Sequence, residues 1–283
     1  MKFSLWTQYG ALNSKPVFDA FRMGCSTLGY ETVNDSHDSD VDVIWSVLFN
    51  GRMAPNKAIW EKNRTSGKPT IVLEVGGIKR GTTWKVGLNG INRDAYFGPA
   101  NNNSDRVHEL GLTLKPWRTD GEYILICGQH DKSLQWQGLP RMSTWVMNTI
   151  EELQQYTDRP IIFRPHPRCQ LHNIEDQYKN VYRQHPTKIP GTYDDYNLTF
   201  AGAYAVVNYS SNPGPQAVIA GIPAFVSHSS LAYDAANDID FLHDINEPQR
   251  PDRQQWLNDY AHTEYTIKEI ESGVALKNLT NNL

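Results

Sequence analysis

The chain of 283 residues has little of what marks a membrane, secreted or metal-dependent protein. Its three cysteines, Cys25, Cys127 and Cys169, stand far apart with no paired spacing. That excludes a disulfide framework or a cysteine zinc site and predicts buried free thiols in a reducing compartment. No apolar run approaches the roughly 18 residues of a membrane span, so no membrane helix is expected. The opening Met1-Lys-Phe-Ser-Leu-Trp6 goes straight into a strand-like pattern without the apolar stretch of a signal peptide, and a cytoplasmic location is expected. HExxH, GxSxG and Walker sequences are all missing, which leaves protease, hydrolase and nucleotide-triphosphatase chemistry without support. Asp35-Ser-His-Asp-Ser-Asp-Val-Asp42 sets acids at alternate positions beside His37 but lacks the glycine and distal glutamate of a calcium loop. It reads as a solvated turn before a strand, and no bound metal is expected.

What is present is an α/β pattern. Lys2–Gln8, Val41–Phe49 and Pro69–Val75 read as strands, and Lys15–Gly29 and Ala54–Thr65 as helices between them. The near-continuous apolar run at 69–75 suits a parallel strand covered on both faces. A Gly-rich stretch, 76–90, follows without GxGxxG order and reads as a loop. Residues 101–121 read as a connection. A second series then runs Glu122–Cys127, helix 142–156, Arg159–Arg164, Tyr204–Asn208, helix 213–220 and Pro223–Val226. Residues 251–276 read as one long polar helix. Net charge is −4, yet residues 51–93 hold nine bases against two acids, and 229–272 hold ten acids against three bases. The asymmetry points to a polyanionic partner for the first half, or to a solvated basic helix face.

The chemistry gathers at strand ends. Pro160-Ile-Ile-Phe-Arg-Pro-His-Pro167 ends on Arg164, His166 and Pro167. Ala205-Val-Val-Asn-Tyr-Ser-Ser-Asn-Pro-Gly-Pro-Gln216 ends on Ser210 and Ser211 and opens a helix. Tyr123-Ile-Leu-Ile-Cys-Gly-Gln-His-Asp131 ends on Gln129, His130 and Asp131. Strand ends of an open α/β sheet face the ligand, and a helix start with nearby His and Arg suits a phosphate.

These three segments, in this order, with Gly221-Ile-Pro-Ala224 beyond, resemble the donor-binding half of GT-B glycosyltransferases. The nearest groups are the capsule-polysaccharide transferases and, more distantly, bacterial sialyltransferases and glycerophosphotransferases. The similarity spans residues 120–230. It departs where that family continues with a Gly-Phe-Glu-Ala-like helix, because this chain reads Asn212-Pro-Gly-Pro-Gln-Ala217 and has no acid there.

The resemblance implies two facing Rossmann-like doubly wound domains, an acceptor domain over 1–115 and a donor domain over 116–250. A C-terminal helix, 251–283, would pack across. It implies transfer of a sugar from a nucleotide-sugar, a UDP- or CMP-sugar, to a hydroxyl without a metal or other cofactor. Gln129, Asp131, Arg164, His166, Pro167, Ser210, Ser211 and Gln216 would hold the donor. A general base is needed from the first domain. Glu74 stands best for it, late on its strand, with Asp38 and Asp94 as substitutes. Lys79, Arg80, Trp84, Lys85 and Arg93 mix charge with an aromatic, as a phosphate backbone and a stacked base require. Phage glycosyltransferases that decorate 5-hydroxymethylpyrimidines share the GT-B layout, so the resemblance implies 5-hydroxymethylcytosine in phage double-stranded DNA as the acceptor, which would place the protein in the host cytoplasm. A cytoplasmic polysaccharide or glycan acceptor is the second reading, and a non-catalytic nucleotide-sugar-binding protein the third.

Overall fold

The computed structural model describes residues 1–169, 171–192 and 195–283. The chain divides into two compact units. The first comprises Met1–Arg106, Lys132–Leu134 and Asn258–Leu283, and the second Val107–Asp131 and Gln135–Leu257.

The first unit opens with β1 (Lys2–Leu5), α1 (Lys15–Thr27), β2 (Glu31–Asn34), β3 (Val41–Trp45), α2 (Asn56–Ser66), β4 (Thr70–Val75) and β5 (Thr83–Leu88). A short α3 (Asp105–Glu109) follows. Strands β2, β1, β3 and β4 are parallel in that spatial order, and β5 runs antiparallel to β4. Alternate residues serve opposite faces. Val43, Trp45, Ile71 and Leu73 pack with Val17, Phe18 and Phe21 of α1. Ile44 and Val72 pack with Ile59 and Trp60 of α2. Both faces are covered, which is why these strands read as unbroken apolar runs.

The second unit holds β6 (Tyr123–Cys127), α4 (Met142–Tyr156), β7 (Ile161–Arg164), β8 (Val181–Arg183), the pair β9 (Thr187–Lys188) and β10 (Tyr196–Asn197), β11 (Ala203–Asn208), α5 (Pro213–Ile219), β12 (Ala224–Val226) and β13 (Asn237–Asp238). Its six-stranded sheet runs β13-β12-β11-β6-β7-β8, all parallel. Counted along the chain this is the 3-2-1-4-5-6 order of a doubly wound fold, which reverses between β6 and β11. Ile124 and Ile126 face α4 on one side, and Leu125 and Cys127 face α5 on the other.

The C-terminal segment differs from the long helix expected. It breaks into α6 (Gln254–Tyr260), β14 (Glu264–Thr266), α7 (Ile267–Glu271) and α8 (Val274–Leu279). Strand β14 pairs antiparallel with β5, and Ile270, Leu276 and Leu279 enter the core of the first unit. Two local signals explain the breaks. Thr266 and Glu269 form a reciprocal capping box that starts a new helix, and Gly273 sits at φ +81°, where only glycine is comfortable. The Gly-rich stretch is likewise not all loop, since Thr83–Leu88 forms β5. All three cysteines are free and buried.

Arg106 clamps this segment. It donates Nε to Ala261 O at 2.6 Å and pairs in bidentate fashion with Glu269. Burial pushes the Glu269 carboxyl up, but the Arg106 hydrogen bonds and the Thr266 donors outweigh it, and the net direction is down. A carboxylate with a depressed folded pKa stabilises above its unfolded value, about 4.3 for glutamate, and loses that contribution as pH falls through the folded value. Glu269→Gln should therefore cost about 1.5–3 kcal/mol near neutral pH and much less near pH 3. Urea unfolding at the two pH values checks it, and an equal loss at both would refute the ion pair as the cause.

Candidate functional site

The carboxyl ends of β6 and β11 form the switch point of the second sheet, where ligands of doubly wound folds sit. Gln129, just past β6, is buried, and its Oε1 accepts from the Ser210 backbone N–H at 3.0 Å and from Ser210 Oγ at 3.3 Å. Asn208 ends β11 and is fully buried. Its Nδ2 donates to Cys127 O at 3.1 Å and to Ser211 Oγ at 2.9 Å. Having accepted there, Ser211 keeps its own O–H as a donor. The two strand ends are thus tied together by Gln129, Ser210 and Ser211, which the sequence placed in one site, and by Asn208, which it did not.

The end of β7 adds His166 on a corner between Pro165 and Pro167. Its Nδ1 accepts the Arg168 N–H at 3.1 Å, so the neutral ring carries its proton on Nε2. The His130 ring meets it edge-on, with centroids 5.6 Å apart, and His130 Nδ1 lies 3.7 Å from Asp131 Oδ1. Gln129, Asp131, His166, Pro167, Ser210 and Ser211 therefore share the carboxyl-end edge of adjacent strands. Gln216 lies one turn into α5.

Two expectations need correction. Arg164 is the last residue of β7 and points inward. It is buried, donates Nε to Gln184 Oε1 at 2.8 Å and Nη2 to Thr199 O, and packs over the Phe200 ring. These contacts anchor the chain beyond β8, while Arg164 stays level with Cys127 at the carboxyl end of the sheet and its Nη1 has no hydrogen-bond partner among the described residues. The start of α5 also lacks the N–H groups expected of it. Pro213 and Pro215 have none, and the Gly214 N–H is used on Ser211 O at 3.1 Å. The first turn of α5 thus offers an anion fewer N–H groups than an ordinary helix start.

Sequence reasoning missed the end of β12. Ser227 donates from both N and Oγ to Tyr209 O, at 2.9 and 2.8 Å, and its Oγ lies 2.8 Å from Ser229 Oγ. His228 between them is exposed and packs against Tyr233 at 4.8 Å. The signal was available, because Ser-His-Ser follows directly on the apolar run that ends at Val226.

In the first unit the three candidate bases separate. Glu74 lies near the carboxyl end of β4, half-buried. Its Oε2 accepts from Ser46 Oγ and its Oε1 from the Val75 N–H at 2.7 Å. Ser46 itself is buried at φ +63°, a costly conformation for a residue other than glycine. Asp38 is exposed and bonded at 2.7 Å to Lys2, which starts β1, so it stands at the amino-end edge. That hydrogen bond holds its carboxyl below the usual range. Asp94 and Arg93 are exposed and follow the end of β5, which pairs with the start of β4. They also belong to the amino-end edge.

The proposed acceptor group divides in the same way. Lys79 and Arg80 are exposed on the turn beyond β4. Trp84 and Lys85 are buried within β5, not displayed on a loop. Trp84 packs 5.9 Å from Trp45 in the core. Lys85 lies between Glu74 on β4 and Glu264 on β14, its register partners. Burial pushes its ammonium pKa down, opposed by Glu264 and then Glu74. Among the described residues no group of three or more His, Cys, Asp or Glu is placed to hold a metal ion, and no helix is long and apolar enough to cross a membrane.

No protein-family model matches the chain, and no curated protein matches it in sequence. Solved structures do. The β-Kdo 2,7 transferase of KpsC from Thermosulfurimonas dismutans is similar at 14% identity with a TM-score of 0.51, over 98% of this chain and 100% of that one. The β-Kdo 2,4 transferase of the same protein gives 12%, a TM-score of 0.49 and coverage of 97% and 98%. The MnaA–UDP structure from S. aureus gives 10%, a TM-score of 0.37 and coverage of 99% and 94%. The fold is a mixed α/β architecture of two largely parallel sheets with Rossmann-type helices, like that of GT-B proteins.

Proposed function

We propose that the chain is a glycosyltransferase that moves a sugar from a nucleotide-sugar to a hydroxyl of a glycan. One observation carries this reading. The reversal point of the 3-2-1-4-5-6 sheet gathers Gln129, His130, Asp131, His166, Ser210 and Ser211, a set of hydrogen-bonding groups suited to ribose and phosphate. The GT-B-like fold supports the same class of reaction. In the step itself the acceptor oxygen bonds to the anomeric carbon as its proton passes to a general base, a role for which Glu74 is the candidate. The bond from that carbon to the phosphate oxygen breaks, and the nucleotide leaves with the electron pair. His166 Nε2–H and the Ser211 hydroxyl stabilise the charge that builds on the leaving phosphate.

A glycan is favoured over DNA because the residues that would meet DNA do not form one surface. Trp84 and Lys85 are buried, and Arg93 lies at the other edge of the sheet from Lys79 and Arg80. Part of the charge asymmetry is also internal, since Glu264 flanks Lys85 and Glu269 pairs with Arg106.

His166→Ala tests the donor site. Calorimetry with UDP- and CMP-sugars should show binding weakened by about 1.5–3 kcal/mol, the worth of a hydrogen bond to a charged group. Unchanged affinity would remove the donor site from this edge. Binding without turnover on any acceptor would favour the non-catalytic alternative. Labelling of 5-hydroxymethylcytosine DNA but not of unmodified DNA would restore the nucleic-acid acceptor.

A further inference from the structure

The first unit holds a cavity of about 380 Å³ that the proposed donor site and base do not use. It opens on the carboxyl-end edge of the first sheet, the same edge that carries Glu74. Thr7 beyond β1, Asn34 at the end of β2 and Lys15 at the start of α1 all line it. The size is that of a small-molecule site.

Its charge is cationic. Arg22 donates to two neutral oxygens, Asn34 Oδ1 at 2.7 Å and Thr32 Oγ1 at 3.4 Å, so its guanidinium is positioned but not neutralised. Arg52 also lines the cavity and makes no hydrogen bond or ion pair among the described residues. Lys15 is matched by Asp19, one turn on. Asp35, beside the lining residue Asn34, takes the Thr7 hydroxyl and the Gln8 N–H, each at 3.3 Å. Two guanidinium groups are therefore left over, and their planar donors fit a carboxylate or phosphate. Leu12 is exposed and adds apolar surface, which a sugar ring's C–H face can cover.

We infer that this cavity binds an acidic saccharide, one bearing a carboxylate or phosphate, through Arg22 and Arg52. It rests on the glycosyl-transfer reading only in naming that saccharide as the acceptor. The cavity lies by β1 and β2, and Glu74 lies on β4. Two strand spacings, about 10 Å, separate β1 from β4. The acidic group is thus held away from the reacting hydroxyl and selects the acceptor without entering the chemistry.

The full chain is titrated with methyl glucuronide, with glucose 6-phosphate and with uncharged methyl glucoside, followed by ligand-observed NMR. Either charged sugar should bind at least about tenfold more tightly than the neutral one, with affinity falling as salt rises. The two charged probes separate carboxylate from phosphate recognition. Arg52→Glu is chosen because Arg52 is exposed and bonds to nothing that the fold needs. It should weaken the charged sugar by about tenfold or more and leave nucleotide-sugar affinity unchanged. Equal binding of charged and neutral sugars, or indifference to Arg52→Glu, would overturn the site. A parallel loss of nucleotide-sugar affinity would overturn it too, by making the cavity part of the donor site. Charged-sugar binding that survives while no transferase activity is found would retain the cavity and reject the glycosyl-transfer reading.

Discussion

Glu74→Gln should lower turnover by about 10²–10⁴-fold and leave nucleotide-sugar affinity within about twofold. The amide keeps the volume and can still accept from Ser46, but it cannot take a proton at neutral pH. Of the three carboxylates considered, only Glu74 stands at the carboxyl-end edge of its sheet. Its placement also looks prepared, because Ser46 holds it from a buried, left-handed conformation that ordinary packing would avoid. The competing explanation is that Glu74 merely neutralises Lys85. Glu264 flanks Lys85 on its other side and is wholly buried, so Glu74 is not its sole counterion. The two roles separate in one experiment. A base predicts lost turnover with a midpoint of unfolding close to that of the parent, whereas a counterion predicts lost stability with turnover retained per folded molecule. Asp38→Asn and Asp94→Asn should leave turnover unchanged, and a large loss in either would move the base to the other edge of the sheet.

Much of the second unit was legible in the sequence. Strands β6, β7, β11 and β12 are apolar runs that end in polar turns, and parallel strands covered on both faces write themselves that way. Strands β5 and β14 were not legible. Lys85 and Gly87 interrupt the apolar pattern of β5, and its partner at Glu264–Thr266 is almost two hundred residues away, beyond any local signal. The site was partly legible for a similar reason. A strand end identifies which residues stand near a ligand, but not which side chain turns outward. His166 lies on the Pro-flanked corner, while Arg164, two residues earlier and still in the strand, is tied to Gln184 and Thr199. Pro213 and Pro215 were visible from the start, and their missing N–H groups already reduced what that helix start can offer an anion.

Glu264→Leu should cost about 3–5 kcal/mol, the usual loss when one partner of a buried ion pair is removed. The carboxylate accepts from the Gly77 N–H at 2.6 Å, the Ile78 N–H at 3.0 Å and Thr83 Oγ1 at 2.7 Å, and it flanks Lys85 across the sheet. It thereby fastens the turn that carries Lys79 and Arg80 to the C-terminal strand. The fit leaves no slack at Gly76, where an added Cβ would stand 2.3 Å from both Glu264 Oε2 and Thr83 O. Leucine removes the acceptor for three donors and takes one of the two flanking carboxylates from Lys85. The pH dependence follows from the sign of the Lys85 shift. A lysine whose folded pKa is depressed destabilises while protonated, and stability recovers as pH rises from the folded value toward the unfolded one, about 10.4. The variant's deficit should therefore be largest at neutral pH and narrow in alkali. Lys85→Met in the same background should recover a substantial part of the loss, because a buried pair replaced by apolar groups is often close to neutral. Urea unfolding of both single variants and the double completes the cycle. A loss below about 1 kcal/mol for Glu264→Leu, or no recovery in the double variant, would show that the carboxylate is not what keeps Lys85 charged inside the sheet.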